Sequence, residues 1–275
     1  MQEWLTVLRA CSESMSKQVR PLFGSPGART GFGAGAGGDV KRKIDLVAEN
    51  ALFKTLEKHG VSCTVVSEES GLKQIGSEAS QFYVIADPVD GTTNGIRGLP
   101  FIDISIAVSR MPMLNSVETA LVTDVLRDVT YTAERGKGAR REGEIIRPSE
   151  TALLEEAVVG VDFSSFRARQ VVNRLIRILE KTQHLRHLGA NALEICYVAD
   201  GTIDAFIDVR GKLRVTDVAA AQLILIEAGG IIKDPTGGRL DAPLTATERV
   251  SFVAASNKSI YDAIQKQMTI REDES

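Results

Sequence analysis

The stretch Phe82-Tyr83-Val84-Ile85-Ala86-Asp87-Pro88-Val89-Asp90-Gly91-Thr92-Thr93-Asn94 changes character midway. Its first five residues are apolar and strand-like. Asp87 and Asp90 follow, with Pro88 between them to fix a turn. Gly91, Thr92, Thr93 and Asn94 then supply helix-opening chemistry. Carboxylates able to hold a hard cation are thus set beside backbone N–H groups able to hold an anion. A site that pairs a metal with a phosphate needs both. Asp-Pro and Asp-Gly are also ordinary turn dipeptides, so the rest of the chain must carry the distinction.

Outward from this stretch the pattern is mixed α and β. Trp4, Leu5, Val7, Leu8, Cys11 and Met15 suit an amphipathic helix over 1–20, stopped near Pro21. Residues 24–39 are glycine-rich and read as a flexible flap over an active site. They contain a formal G-x-G-x-x-G, Gly33-Ala34-Gly35-Ala36-Gly37-Gly38, but no strand precedes it, so dinucleotide binding is not supported. Helical spacing at 44–58 is followed by strands at 61–66, 82–86, 101–109, 120–129 and 130–134. After a basic turn at 135–143 the pattern changes near Pro148. Strands then fall at 157–161, 202–209, 231–232 and 250–255, and helices at 167–181, 191–199, 217–229 and 259–268. Two halves follow, 1–147 and 148–275, with the site expected between them.

Composition sets bounds on function. The chain has 275 residues, 43% hydrophobic and 25% charged, which is ordinary for a globular protein. A formal net charge of -3 gives no general case for nucleic acid or an anionic membrane, so a phosphate ligand needs local cations. Cys11, Cys63 and Cys196 form no C-x-x-C pair, and His59, His184 and His187 are too dispersed for a zinc site. A cytoplasmic, reducing setting is expected. There is no signal-peptide core and no apolar run of about 18 residues, so no membrane span is expected.

Four separated segments each deliver carboxylates to the end of an element. Asp45 starts a helix, Glu68 and Glu69 end a strand, Asp87 and Asp90 end the next, and Asp217 starts the late apolar helix. Singly, Asp45 and Asp217 could be helix-capping residues and Glu68 and Glu69 a solvated loop. Together they suit a hard cation, which draws oxygens from several segments.

In order and spacing these motifs resemble the inositol monophosphatase and fructose-1,6-bisphosphatase superfamily. The resemblance rests on Asp87-Pro88-Val89-Asp90-Gly91-Thr92-Thr93-Asn94, Ser67-Glu68-Glu69, the Asp45 helix start, and the run from Thr216-Asp217 to Gly229-Gly230. The stretches Gly37-Gly38-Asp39-Val40-Lys41-Arg42-Lys43-Ile44-Asp45 and Asp208 to Asp217 are most similar to the archaeal branch, several members of which hydrolyse both fructose 1,6-bisphosphate and inositol monophosphate. One departure is Thr216, where the family often has Trp.

The resemblance implies an α+β fold, the layered α/β/α/β/α sandwich of the sugar phosphatases, in a homodimer or homotetramer. It implies that Glu68, Asp87 and the Val89 carbonyl hold one Mg²⁺, and that Asp87, Asp90 and Asp217 hold a second. Asp45 and Glu68 would help a weaker third site, with Mn²⁺ as a substitute ion. Thr92, assisted by Asp45, would orient or deprotonate the attacking water, and Glu69 would not be a direct ligand. Backbone N–H groups of Gly91, Thr92 and Thr93 beside Asp90 would hold the phosphate. Arg186, Asn191 and Arg210 would meet the sugar or a distal phosphate, which favours fructose 1,6-bisphosphate. The turn Gly189-Ala190-Asn191-Ala192 would line the sugar pocket, and Lys137, Arg140 and Arg141 read as a solvated hairpin tip. The expected activity is an Mg²⁺-dependent, Li⁺-sensitive phosphomonoesterase. The alternatives are a 3′-phosphoadenosine 5′-phosphate nucleotidase and a non-catalytic interaction module on the same fold.

Overall fold

The structure is a computed structural model and describes residues 3–36, 38, 40–77, 81–164 and 168–269. The first helix, α1 (Trp4–Val19), buries Val7, Leu8, Cys11, Met15 and Val19 on one face, as its apolar spacing requires. It gives way to a 3-10 turn, Arg20–Leu22, that contains Pro21. The glycine flap is in part a hairpin of β1 (Gly31–Ala34) and β2 (Val40–Arg42), with Gly31 opposite Arg42 and Ala34 opposite Val40. Gly37 and Asp39 of this motif lie outside the described residues.

An eight-stranded sheet follows. Its strands are β3 (Cys63–Ser67), β4 (Gly71–Ile75), β5 (Tyr83–Asp90), β6 (Asp103–Ser109), β7 (Val117–Asp124), β8 (Val129–Glu134), β9 (Ala139–Arg141) and β10 (Glu144–Ile145). Their order is β10-β9-β8-β7-β6-β5-β3-β4. Only the β3–β5 pairing is parallel. The helix α2 (Lys43–Lys58) precedes β3, and the short α3 (Thr92–Arg97) follows β5.

The second sheet comprises β11 (Val158–Val161), β12 (His184–Arg186), β13 (Ala205–Arg214), β14 (Ile231–Lys233) and β15 (Arg249–Ala255), in the order β12-β11-β13-β15-β14. Interleaved with it are α4 (Ala168–Lys181), α5 (Asn191–Ala199), α6 (Val215–Ala228) and α7 (Lys258–Thr269). Residue 167, expected to open α4, lies outside the described residues.

Three hydrophobic clusters define five layers. In the first, α1 and α2 pack Leu8, Met15, Leu52 and Leu56 against Val65, Val84, Ile104 and Ile106 of the large sheet. In the second, α5 and α6 bury Ile195, Val218, Leu223 and Ile224 against Val66, Ile85 and Val122 on one side and Phe206 and Phe252 on the other. In the third, Leu175 and Ile178 of α4 and Ile260 and Ile264 of α7 cover Val159, Ile207 and Val253. The order is the α/β/α/β/α sandwich. Lying between two sheets, α6 is buried over nearly its whole length, with Ile226 exposed. This is why its sequence is apolar all round rather than striped. For the same reason β6, covered on both faces, is buried at every residue instead of alternating. No helix among the described residues is long and apolar enough to cross a membrane.

Candidate active site

The expected turn after Ala86 is instead a continuation of β5 to Asp90. Asp87 lies opposite Ser105 and Asp90 opposite Asp103, so Pro88 and Val89 together face Ile104 alone. This is a β-bulge. In a regular strand, positions three apart point to opposite faces. The extra residue restores the parity, so both aspartates turn toward Asp217, which acts on each as a neighbouring negative charge. The bulge also accommodates Pro88, which has no N–H to give to a ladder. Val89 N–H, freed by the same irregularity, donates to Asp87 Oδ1 at 3.1 Å.

Two helix starts bring the other carboxylates by a shared local device. Asp45 is the third residue of α2 and Asp217 the third of α6. Each accepts a backbone N–H from the arginine just before its helix, Arg42 to Asp45 Oδ2 and Arg214 to Asp217 Oδ2, both at 3.2 Å. An acid at this position satisfies a free donor and meets the positive end of the helix.

Glu68, Asp87 and Asp217 each present a carboxylate oxygen within 4.8 Å of the other two. Asp90 stands beside them, its Oδ2 accepting Ala192 N–H at 2.6 Å, with a further hydrogen bond from the Asn191 side chain. Thr92 Oγ1 lies 3.0 Å from both Asp45 Oδ1 and the Val89 carbonyl, and its single proton can go to either. Gly91 has φ +86°, and a Cβ there would sit 2.7 Å from the Phe101 carbonyl oxygen, so only glycine fits. Thr93 is exposed. Asn94 Nδ2 ties the neighbourhood together by donating to the carbonyls of Phe101 at 2.9 Å and Leu188 at 2.7 Å.

The cluster is electrostatically overloaded with negative charge. Burial first, then Asp217, pushes the Glu68 carboxyl well above its ordinary range; burial, then Glu68, does the same to Asp87. Burial and Asp217 raise Asp90 to about 7. Burial raises Asp45 to about 6 against the opposing hydrogen bond from Thr92, and raises Glu69 to about 7. The Arg214 guanidinium touches the set directly, its Nη1 2.8 Å from Glu68 Oε1. Converging, desolvated, all-oxygen donors suit a hard divalent cation, which would hold these groups ionised. The residues present therefore fit the metal that the motifs imply.

The profile described as "Inositol monophosphatase family" matches residues 2–271. The chain belongs to the inositol monophosphatase family. Among its relatives, the fructose-1,6-bisphosphatase/inositol-1-monophosphatase of Methanothermobacter thermautotrophicus is 35% identical, the alignment covering 97% of each chain. The bifunctional NADP phosphatase/NAD kinase of Methanococcus maripaludis is 33% identical over 91% of this chain and 46% of that one. Among solved structures, the MJ0109 gene product, an inositol monophosphatase-fructose 1,6 bisphosphatase, superposes with a TM-score of 0.84 at 30% identity, covering 97% of this chain and 100% of that one.

Within this family fold, the three expected sugar-side residues have different surroundings. Asn191, the first residue of α5, bonds Asp90. Arg210 is held by Asp208 at 2.5 Å and Asp162 at 2.7 Å, its side chain 7% exposed. Arg186 is exposed on the edge strand β12, and its Nη1 donates to the Leu185 carbonyl. Arg214 was not singled out from sequence. The repeated spacing Arg42-Lys43-Ile44-Asp45 and Arg214-Val215-Thr216-Asp217 was the available signal.

Proposed function

We propose that this member of the inositol monophosphatase family is an Mg²⁺-dependent phosphomonoesterase that hydrolyses fructose 1,6-bisphosphate, inositol monophosphate or both. The observation carrying this reading is the convergence of Glu68, Asp87 and Asp217 next to the Thr92–Asp45 pair. Glu68, Asp87 and the Val89 carbonyl would hold one ion, and Asp87, Asp90 and Asp217 a second. Asp45 with Glu68 would serve a weaker third, and Mn²⁺ would substitute. Divalent ions at such a site acidify water and neutralise phosphoryl oxygens.

The protein's own groups do the positioning. Thr92 Oγ1 holds the attacking water and Asp45 receives its proton through that hydroxyl. Backbone N–H groups of Gly91, Thr92 and Thr93 hold phosphate oxygens, and the absence of a Cβ at residue 91 permits the approach. The P–O ester bond breaks as the water oxygen bonds to phosphorus, and the leaving alkoxide takes a proton from solvent. Asn191 keeps Asp90 in place while Arg186, Asn191 and Arg210 border the alcohol side.

A second reading is hydrolysis of a phosphate on a nucleotide ribose, of the 3′-phosphoadenosine 5′-phosphate kind. The relative named an NADP phosphatase supports it. The complete acidic set argues against a purely non-catalytic interaction module. Phosphate release from inositol 1-phosphate, fructose 1,6-bisphosphate and a 3′-phosphonucleotide, with and without Mg²⁺, separates these. Release from none of them in Mg²⁺ would overturn the phosphatase reading.

A further inference from the structure

We propose that Glu49 is a positioning residue that clamps the Glu68 turn to α2 and thereby sets how tightly the centre binds a divalent cation; this rests on the metal-dependent reading above. Glu49 is buried, with 3% of its surface exposed. It lies one helical turn beyond Asp45 on α2, so the two carboxylates share a face. Its Oε1 accepts Ser67 Oγ at 2.5 Å and Ser70 N–H at 3.0 Å, and its Oε2 accepts Ser70 Oγ at 2.5 Å. Those donors bracket Glu68 and Glu69. One carboxylate therefore pins both ends of the turn that carries the metal-facing Glu68.

The turn needs a clamp because Glu68 faces like charges. Asp217, Glu69 and Asp45 all repel its ionised form. The β3–β4 ladder ends at the Ser67–Gly71 pair, so Glu68, Glu69 and Ser70 lie beyond it, and without the bonds to Glu49 this segment could relieve that repulsion by swinging Glu68 outward. Asp87 and Asp217 cannot follow, since they sit in β5 and α6. The same turn also receives the flap, with Ala36 N–H donating to the Glu69 carbonyl at 3.0 Å. The first turns of α2 thus act as a jig: Asp45 reaches Thr92, and Glu49 fixes the Glu68 turn. Partners outside the ligand set that orient the ligands govern metal affinity in this way.

Mn²⁺ and Mg²⁺ are titrated calorimetrically into the full chain and into Glu49→Ala and Glu49→Gln, well below each unfolding midpoint. Glu49→Ala should weaken binding about 10–100-fold, the usual effect of losing an orienting partner. Glu49→Gln should fall between, because it keeps one acceptor oxygen. At saturating Mg²⁺, KM for inositol 1-phosphate should match the wild type and kcat should recover, which a general loss of structure would not allow. Wild-type affinity in Glu49→Ala, or a kcat deficit that persists at saturating metal, overturns the assignment. If Glu49→Ala does not fold, Ser70→Ala cuts one arm of the clamp and carries the same test, with weaker metal binding expected. No binding of either ion to the wild-type protein would overturn the metal-dependent reading itself.

Discussion

Asp90 and Gly91 adjoin in sequence but serve the site differently, through charge and through absence of bulk. Asp90→Asn keeps the shape and the acceptor for Ala192 N–H while removing a negative charge. Hydrolysis should fall at least about 100-fold, the upper range even for residues that only orient a metal ligand. An unchanged circular dichroism spectrum beside substantial phosphate release would refute its assignment as a ligand. Gly91→Ala should destabilise the fold by about 1–3 kcal/mol, because it places a side chain at a left-handed φ. The new Cβ would also press on the Phe101 and Gly189 carbonyls, 2.7 and 3.2 Å away. Chemical denaturation measures the first effect, and a raised KM for any accepted phosphomonoester would report the second. Equal stability to the wild type would show that the tight approach is not maintained in solution.

Elements meet at this site through a few polar stitches. The loop before α5 and the first turn of that helix come from the second half of the chain, yet Asn94 of α3 holds the loop, and Asp90 and Asp103 of the large sheet hold the helix start. Asp103 Oδ2 accepts Leu193 N–H at 3.2 Å, next to the Ala192 bond to Asp90. The N-terminal amides of α5 thus rest on two strand carboxylates, which the positive end of a helix favours. Asn94→Ala would leave the half-buried carbonyls of Phe101 and Leu188 without this donor, a loss of about 1 kcal/mol. It should also raise KM more than it lowers kcat, since the loop leads into Asn191 at the start of α5 and not to the proposed proton-accepting pair. Thermal melts and initial rates test both, and a pure kcat effect would contradict the stitching role.

For the molecule as a whole, the crowd of carboxylates couples stability to pH and to metal. Asp45 rises from 3.8 to about 6, Asp90 from 3.8 to about 7, and Glu69 from 4.5 to about 7. Their folded-state values lie above the unfolded ones, so the folded chain binds more protons than the unfolded chain between those limits. The stability they contribute is full below the unfolded values and is lost as pH rises through about 6 to 7. Without divalent ions the melting temperature should therefore fall from about pH 5 to pH 8, by at least 2–4 °C, the shift that ~1 kcal/mol gives at this size. A bound cation favours the ionised forms, so added Mg²⁺ should stabilise more at the higher pH. Differential scanning calorimetry at the two pH values checks this. A melting temperature that rises with pH in chelator would show that the carboxylates are not crowded as described. The implied homodimer or homotetramer is open to light scattering on the same samples.

The sequence alone carried the acidic motifs and most of the elements. Its acid types, the Asp87 to Asn94 run, the 3.6-residue spacing in α1 and α2 and the continuous apolar run of α6 are local properties, and local chemistry fixes them. The layer order was legible only through family resemblance, because no window of sequence reports which face of a helix meets which sheet. Tertiary structure decided what depends on register and packing. It turned the expected acidic turn into a bulged strand, so that Asp87 and Asp90 share a face. It paired Arg210 with Asp162 and Asp208, where the resemblance implied a contact with the sugar or a distal phosphate. It also brought Arg214 to Glu68 and Glu49 to Ser67 and Ser70. Distances between residues far apart in the chain follow from strand pairing and burial, and neither is written in the residues' own neighbourhoods.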